Sequence, residues 1–124
     1  MSLDLDDFNG RWLQAWTDKD VPRLLSFYTE DTIYADPQTA SGLQGHAALG
    51  AYLTGLFGAT PPMTYTPDEL WATHNGYCGR WFCTIRPPEG PVSYLRGFDL
   101  VVLRGDRIAR NEVFVHALEA LPTL

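Results

Sequence analysis

The stretch Tyr28-Thr29-Glu30-Asp31-Thr32-Ile33-Tyr34-Ala35-Asp36-Pro37, followed by a turn-rich loop from Gln38 to Gly45 and a helical pattern from His46 to Phe57, decides the reading of this chain. A proline after Asp36 disfavours helical backbone at that residue, so a short strand ending there holds Asp36 extended. Strand alternation then places Thr32, Tyr34 and Asp36 on one face, with Ile33 and Ala35 on the other. Two readings of Asp36 follow. It is either an acid aimed into a cavity, or an Asp that opens an Asx turn before the loop.

Upstream, Leu5, Phe8, Trp12, Leu13 and Trp16 recur at helical spacing as one apolar stripe. Asp18-Lys19-Asp20 breaks it, and Asp20 fits the cap of a second helix with Pro22 in its first turn. Leu24, Leu25, Phe27 and Tyr28 form that helix's buried side. A third helix runs through Leu49, Tyr52, Leu53 and Leu56 to a stop at Gly58. From Met63 the period changes. Thr64 to Thr73, Tyr77 to Arg86, Val92 to Leu103 and Arg107 to His116 read as strands, parted by turn signals at His74-Asn75-Gly76, Pro87 to Pro91 and Gly105-Asp106. The order predicts an α+β fold: a curved antiparallel sheet with three N-terminal helices on its concave face, a cone-shaped single domain over residues 1–124.

With 124 residues, 45% hydrophobic and 19% charged, one domain can bury a real core. A net charge of -6 with nine Lys and Arg argues against nucleic acid and anionic membrane surfaces, which need concentrated basic patches. No secretory leader and no apolar run of roughly 18 residues is present, so a cytoplasmic location is expected. Cys78 and Cys83, five apart in one strand, fall on opposite faces and read as free thiols. His46, His74 and His116 lie in separate elements without ligand spacing, so no metal site is expected. The sequence carries no glycine-rich phosphate loop, nucleophile elbow or heme motif, and no cofactor is expected.

Gly10 through Pro37, including Tyr28-Thr29-Glu30-Asp31 and the closing Ala35-Asp36-Pro37, resembles the first two helices and first strand of the ketosteroid isomerase branch of the nuclear transport factor-like superfamily. That superfamily also holds the SnoaL-like polyketide cyclases. Gly45-His46 with Ala51-Tyr52 resembles the third helix, and Thr73 to Gly76 a turn in the sheet. The resemblance implies that Asp36 is a general base shuttling a proton beside a carbonyl. It implies that Asp99, in Arg96-Gly97-Phe98-Asp99-Leu100, is a protonated acid donating to a developing oxyanion. The residues agree: an ionised Asp99 among Phe98, Leu100, Val101 and Val102 would be unfavourable unless paired. An outward Asp99 on a wet sheet face is the alternative. The chain departs from the isomerase at its main tyrosine donor, where Trp12 stands; an indole N–H donates one hydrogen bond but has no phenol's acidity. Tyr28 matches a supporting tyrosine, and Leu53, beside Tyr52, falls at the third tyrosine position.

A two-residue turn at Gly105-Asp106 would put Arg110 and Glu112 inward, whereas the resemblance seats Asn111, Val113 and Val115 there, which needs a bulge. The second arrangement is preferred, because an inward Arg110 and Glu112 would need full pairing to offset desolvation. Phe82 and Thr84 are expected inward by resemblance, and Trp81, Ile85 and Val102 outward, as the apolar face of a homodimer. The expected ligand is a small hydrophobic carbonyl compound, bound by Trp12, Tyr28, Phe82, Asn111 and Val113, with Asp36 and Asp99 catalytic in an isomerase- or cyclase-like proton shuttle. A non-catalytic ligand-binding or dimerisation domain of the same fold is the alternative. Addition of water by an Arg96 and Asp99 pair is disfavoured, since residues three apart on a strand face opposite ways.

Overall fold

The computed structural model describes residues 3–122. Helix α1 (Leu5–Thr17) is capped by the Asp4 carboxylate, which accepts from Asp7 N, and helix α2 (Val21–Ser26) by Asp20, which accepts from Arg23 N. These side chains satisfy backbone donors that a helix start leaves unpaired. The predicted stripe of α1 is the buried one: Phe8, Trp12, Leu13 and Trp16 all enter the core, each contributing about 2 kcal/mol by leaving water. Strand β1 (Tyr28–Ala35), the two-residue β2 (Leu43–Gln44) and helix α3 (Gly45–Ala59) follow, then β3 (Met63–Thr73), β4 (Gly76–Ile85), β5 (Ser93–Arg104) and β6 (Arg107–Leu118).

The six strands form one sheet in the order β2-β1-β6-β5-β4-β3. It is mixed rather than wholly antiparallel, because β1 runs parallel to β6, with Tyr34 beside Asn111. Three helices and a meander of long strands otherwise follow the predicted α+β order. Lys19, in left-handed backbone at φ 53°, sends its ammonium to the carbonyls of Phe57, Thr60 and Pro61 and to Thr60 Oγ1. A cation there meets the unpaired carbonyls at the end of α3 and ties that helix to the α1–α2 corner.

Register settles which side chains enter the cone. The Gly105-Asp106 turn is a two-residue one, with Arg104 opposite Arg107 and Leu103 opposite Ile108; the register then shifts, so that Val102 faces Arg110 and Asp99 faces Val113. The bulge at Ala109 puts Asn111, Val113 and Val115 on the inner face with Asp99, and Arg110 and Glu112 outside, paired with each other. On β4 the expectation is reversed. The strand pairs with β5 without a shift, Gly79 opposite Asp99 and Trp81 opposite Gly97. Opposite residues share a face, and a one-residue offset flips them all. Tyr77, Trp81 and Cys83 are therefore buried inside, whereas Phe82 and Thr84 lie on the outer face. The outer face carries Val102, as expected, but Trp81 and Ile85, expected there too, line the inner side instead, and the exposed aromatics outside are Trp71, Phe98 and Phe114. Cys78 and Cys83 are free and on opposite faces.

Candidate functional site

Between the helices and the inner face of the sheet lies a cavity of about 270 Å³. Trp12, Trp16, Tyr34, Tyr52, Tyr65 and Trp81 supply its aromatic wall; Leu13, Leu56, Met63, Ile85, Leu95, Val113 and Val115 are among its aliphatic lining. Two carboxyl groups reach it, Asp36 at the end of β1 and Asp99 on β5, and among the described residues no Lys, Arg or His lines it.

Asp36 fulfils both of its sequence readings, one with each oxygen. Oδ1 accepts from Gln38 N at 2.8 Å, Thr39 N at 3.0 Å and Thr39 Oγ1 at 3.1 Å, which fixes the turn through Pro37. Oδ2 accepts two phenols, Tyr34 at 2.9 Å and Tyr52 at 2.6 Å. Alternation along β1 brings Tyr34 onto Asp36's face, and α3 delivers Tyr52 from above. Burial raises both phenols' pKa, and the neighbouring carboxylate raises them further. They remain neutral donors.

Asp99 is buried and held by two donors: Trp81 Nε1 reaches Oδ1 at 2.9 Å, and Asn111 Nδ2 reaches Oδ2 at 3.0 Å. Burial drives its pKa up to about 7 against these hydrogen bonds, with a smaller push from the charge of Asp36. Desolvation wins over the two neutral donors. Behind Asp99 runs a relay: Trp12 Nε1 donates to the Tyr28 hydroxyl at 3.3 Å, which donates to Asn111 Oδ1 at 3.0 Å. The amide of Asn111 then faces Asp99 and, at 3.2 Å, the Leu100 carbonyl.

Of the residues expected at the site, Asp36, Asp99, Trp12 and Val113 line the cavity. The Trp12 ring does so, but its N–H is spent on Tyr28. Tyr28 and Asn111 are fully buried and stand behind the lining, so they hold Asp99 rather than touch a ligand. Phe82 belongs to the outer face and does not enter the cavity, for the register reason above. Arg96 is also outside, donating to His116 Nε2, so it forms no pair with Asp99. Sequence reasoning missed Trp81, Tyr34 and Tyr65. The signal for Trp81 was Gly97: a Cβ there would lie 2.0 Å from the Trp81 indole, so the strand leaves out a side chain to seat that ring.

The sequence profile of the SnoaL-like domain matches residues 10–111. No curated protein matches the sequence. Among solved structures, the chain is similar to a protein of ketosteroid isomerase-like fold from Catenulispora acidiphila, solved in complex with trimethylamine, at 14% identity and a TM-score of 0.77, covering 89% of this chain and 85% of that one. TerC, co-crystallised with polyporic acid, is similar at 16% identity and a TM-score of 0.74, over 87% and 88% of the two chains. A ketosteroid isomerase-like protein from Erwinia carotovora atroseptica has 19% identity and a TM-score of 0.68, over 90% and 92%. At these identities the likeness is one of fold. With its profile spanning most of the sequence, the chain belongs to the SnoaL-like domain family.

Proposed function

We propose that the cavity binds a small hydrophobic carbonyl compound and moves a proton beside the carbonyl, as an isomerase or cyclase. The observation that carries this is the pairing of two unlike carboxyl groups on one aromatic cavity. Asp36 has both oxygens acting as acceptors, and Asp99 has its pKa raised to about 7. Asp36 takes a proton from the carbon next to the carbonyl; the C–H pair becomes a C=C bond, and the carbonyl electrons move onto oxygen. Protonated Asp99, its Oδ1 still accepting from Trp81, donates to that oxygen. Return of the proton to carbon completes the cycle, and an acid and a base suffice for each step. The cavity's modest volume suits a compound of one or two rings. That TerC, of the same fold, was crystallised with polyporic acid agrees with an aromatic-walled site for such molecules.

One observation favours a second reading, a binding domain without catalysis. Asp36 Oδ2 already accepts two phenols, which occupy the positions from which it would attack a C–H bond. Calorimetric titration with 4-nitrophenolate, an enolate mimic, separates the two. Under the proton-shuttle reading Asp99→Ala binds it about tenfold or more weakly than wild type, and Asp36→Asn binds it as tightly or better, since a like charge is gone. Equal affinity in all three proteins would favour the binding domain. The outer face of the sheet, with Phe114 59% exposed beside Phe98 and Trp71, is our proposed homodimer surface; sedimentation showing only monomer at micromolar concentration would count against it.

A further inference from the structure

The cavity has three phenols. Those of Tyr34 and Tyr52 give their protons to Asp36. The third, Tyr65, has no hydrogen-bond partner for its hydroxyl among the described residues, although it lines the same cavity. Tyr65 is half-buried, so its uncommitted hydroxyl is accessible from the cavity it lines. The residue itself is firmly placed. Its backbone N–H donates to Thr17 Oγ1 at 2.9 Å, and its ring lies 5.0 Å from that of Trp81 and 5.8 Å from that of Trp16, between centroids. Trp81 in turn holds Asp99. Burial raises the Tyr65 pKa, and the charges of Asp99 and Asp36 add to the rise, so the hydroxyl keeps its proton through the neutral range.

We propose that Tyr65 is the donor that meets the ligand's carbonyl oxygen, alongside Asp99. The substrate class rests on the proton-shuttle reading. The position of Tyr65 does not. Trp12 is committed to Tyr28, Trp81 to Asp99, and Tyr34 and Tyr52 to Asp36; of the cavity donors without an acceptor among the described residues, Trp16 Nε1, the Gln38 amide and the Tyr65 phenol, only the phenol belongs to a ring packed on the Trp81 that holds Asp99. A ligand oxygen that reaches protonated Asp99 therefore has the Tyr65 phenol as its neighbouring donor. As charge builds on that oxygen during proton transfer, a preplaced phenol on a rigid strand gains strength without reorganising. The tyrosine absent at position 12 is in this way replaced by a residue of the strand on which α1 packs.

The test is the infrared stretch of 1-indanone, labelled with carbon-13 at its carbonyl, bound to wild type, to Tyr65→Phe, and to protein with 3-fluorotyrosine at position 65. Donation lowers the stretch in wild type. The more acidic fluorinated phenol lowers it further, and Tyr65→Phe returns it part of the way toward its value in an apolar solvent, with affinity reduced about tenfold or less. The fluorinated protein keeps the native ring and shape, so the comparison survives if Tyr65→Phe fails to fold. A bound stretch that is unchanged across the series overturns the assignment, as does the absence of any bound carbonyl band in wild type. Deuterium exchange at the ketone's α-carbon is followed in parallel. Exchange with an unresponsive stretch sinks the Tyr65 assignment alone; a responsive stretch without exchange supports the assignment and sinks the proton shuttle.

Discussion

The Trp81 indole lies flat over Gly97, in the space that any side chain at residue 97 would occupy. A Cβ there would come within 2.0 Å of Trp81 Cε2 and Cζ2. Because the two residues are partners across β4 and β5, this close approach is what lets the indole N–H turn along the strand to Asp99 Oδ1. Gly97→Ala is expected to displace the ring. The loss combines overpacking, about 1–3 kcal/mol, with a buried Asp99 deprived of one donor, so the thermal midpoint should fall well below that of wild type. Ligand affinity should fall with it. Unchanged stability measured by calorimetry would mean the ring relocates without loss.

Asp99 predicts a pH dependence whose sign is fixed. Its folded pKa, about 7, is above the usual carboxylate value. Between roughly pH 4 and 7 the folded state thus holds a proton that the unfolded state has released. Stability from this group is full at the acid end and falls as pH rises toward 7, by up to about 1.4 kcal/mol per pH unit, then levels. Asp99→Asn removes this slope. Denaturant melts of both proteins at pH 4.5, 6 and 7.5 should show the variant gaining on wild type as pH rises; parallel curves would contradict it.

Tyr52 is the adjustable member of the Asp36 clamp. It is on the half-buried face of α3, whereas Tyr34 is 2% exposed. Tyr52→Phe frees one acceptor position on Asp36 Oδ2, so proton abstraction should speed up or stay equal. Tyr34→Phe leaves Tyr52 in place but disturbs a packed ring stacked near Trp16, and should mainly lower stability. A drop in exchange rate of about a hundredfold or more in Tyr52→Phe would instead make that phenol a donor to the ligand.

The sequence was most legible where local chemistry is strong. Capping by Asp20, the α1 stripe, the Gly105-Asp106 turn and the Asp36-Pro37 strand end all rest on residues within a few positions of one another, and each appears where it was expected. The bulge that turns Asn111 inward was legible through the resemblance, and was preferred for the cost of burying Arg110 and Glu112. What failed was the face assignment of β4. An alternation of Trp81, Phe82, Cys83 and Thr84 is apolar on both sides, so its hydrophobic pattern carries no register information. Register there comes from Gly97 across the sheet. The destination of Trp12's N–H, Tyr28, and the open hydroxyl of Tyr65 likewise depend on distant partners that no single segment reveals.

The most direct measurement of the central claim is the rate at which the protein exchanges the α-hydrogens of 1-indanone with deuterated solvent, followed by proton NMR from pH 5 to 9. The account predicts exchange above the buffer rate in wild type, declining as pH rises through about 7 while Asp99 loses its proton, and lowered by a factor of about a hundred or more in Asp36→Asn. Exchange at the buffer rate in wild type, or an Asp36→Asn variant as fast as wild type, would contradict it.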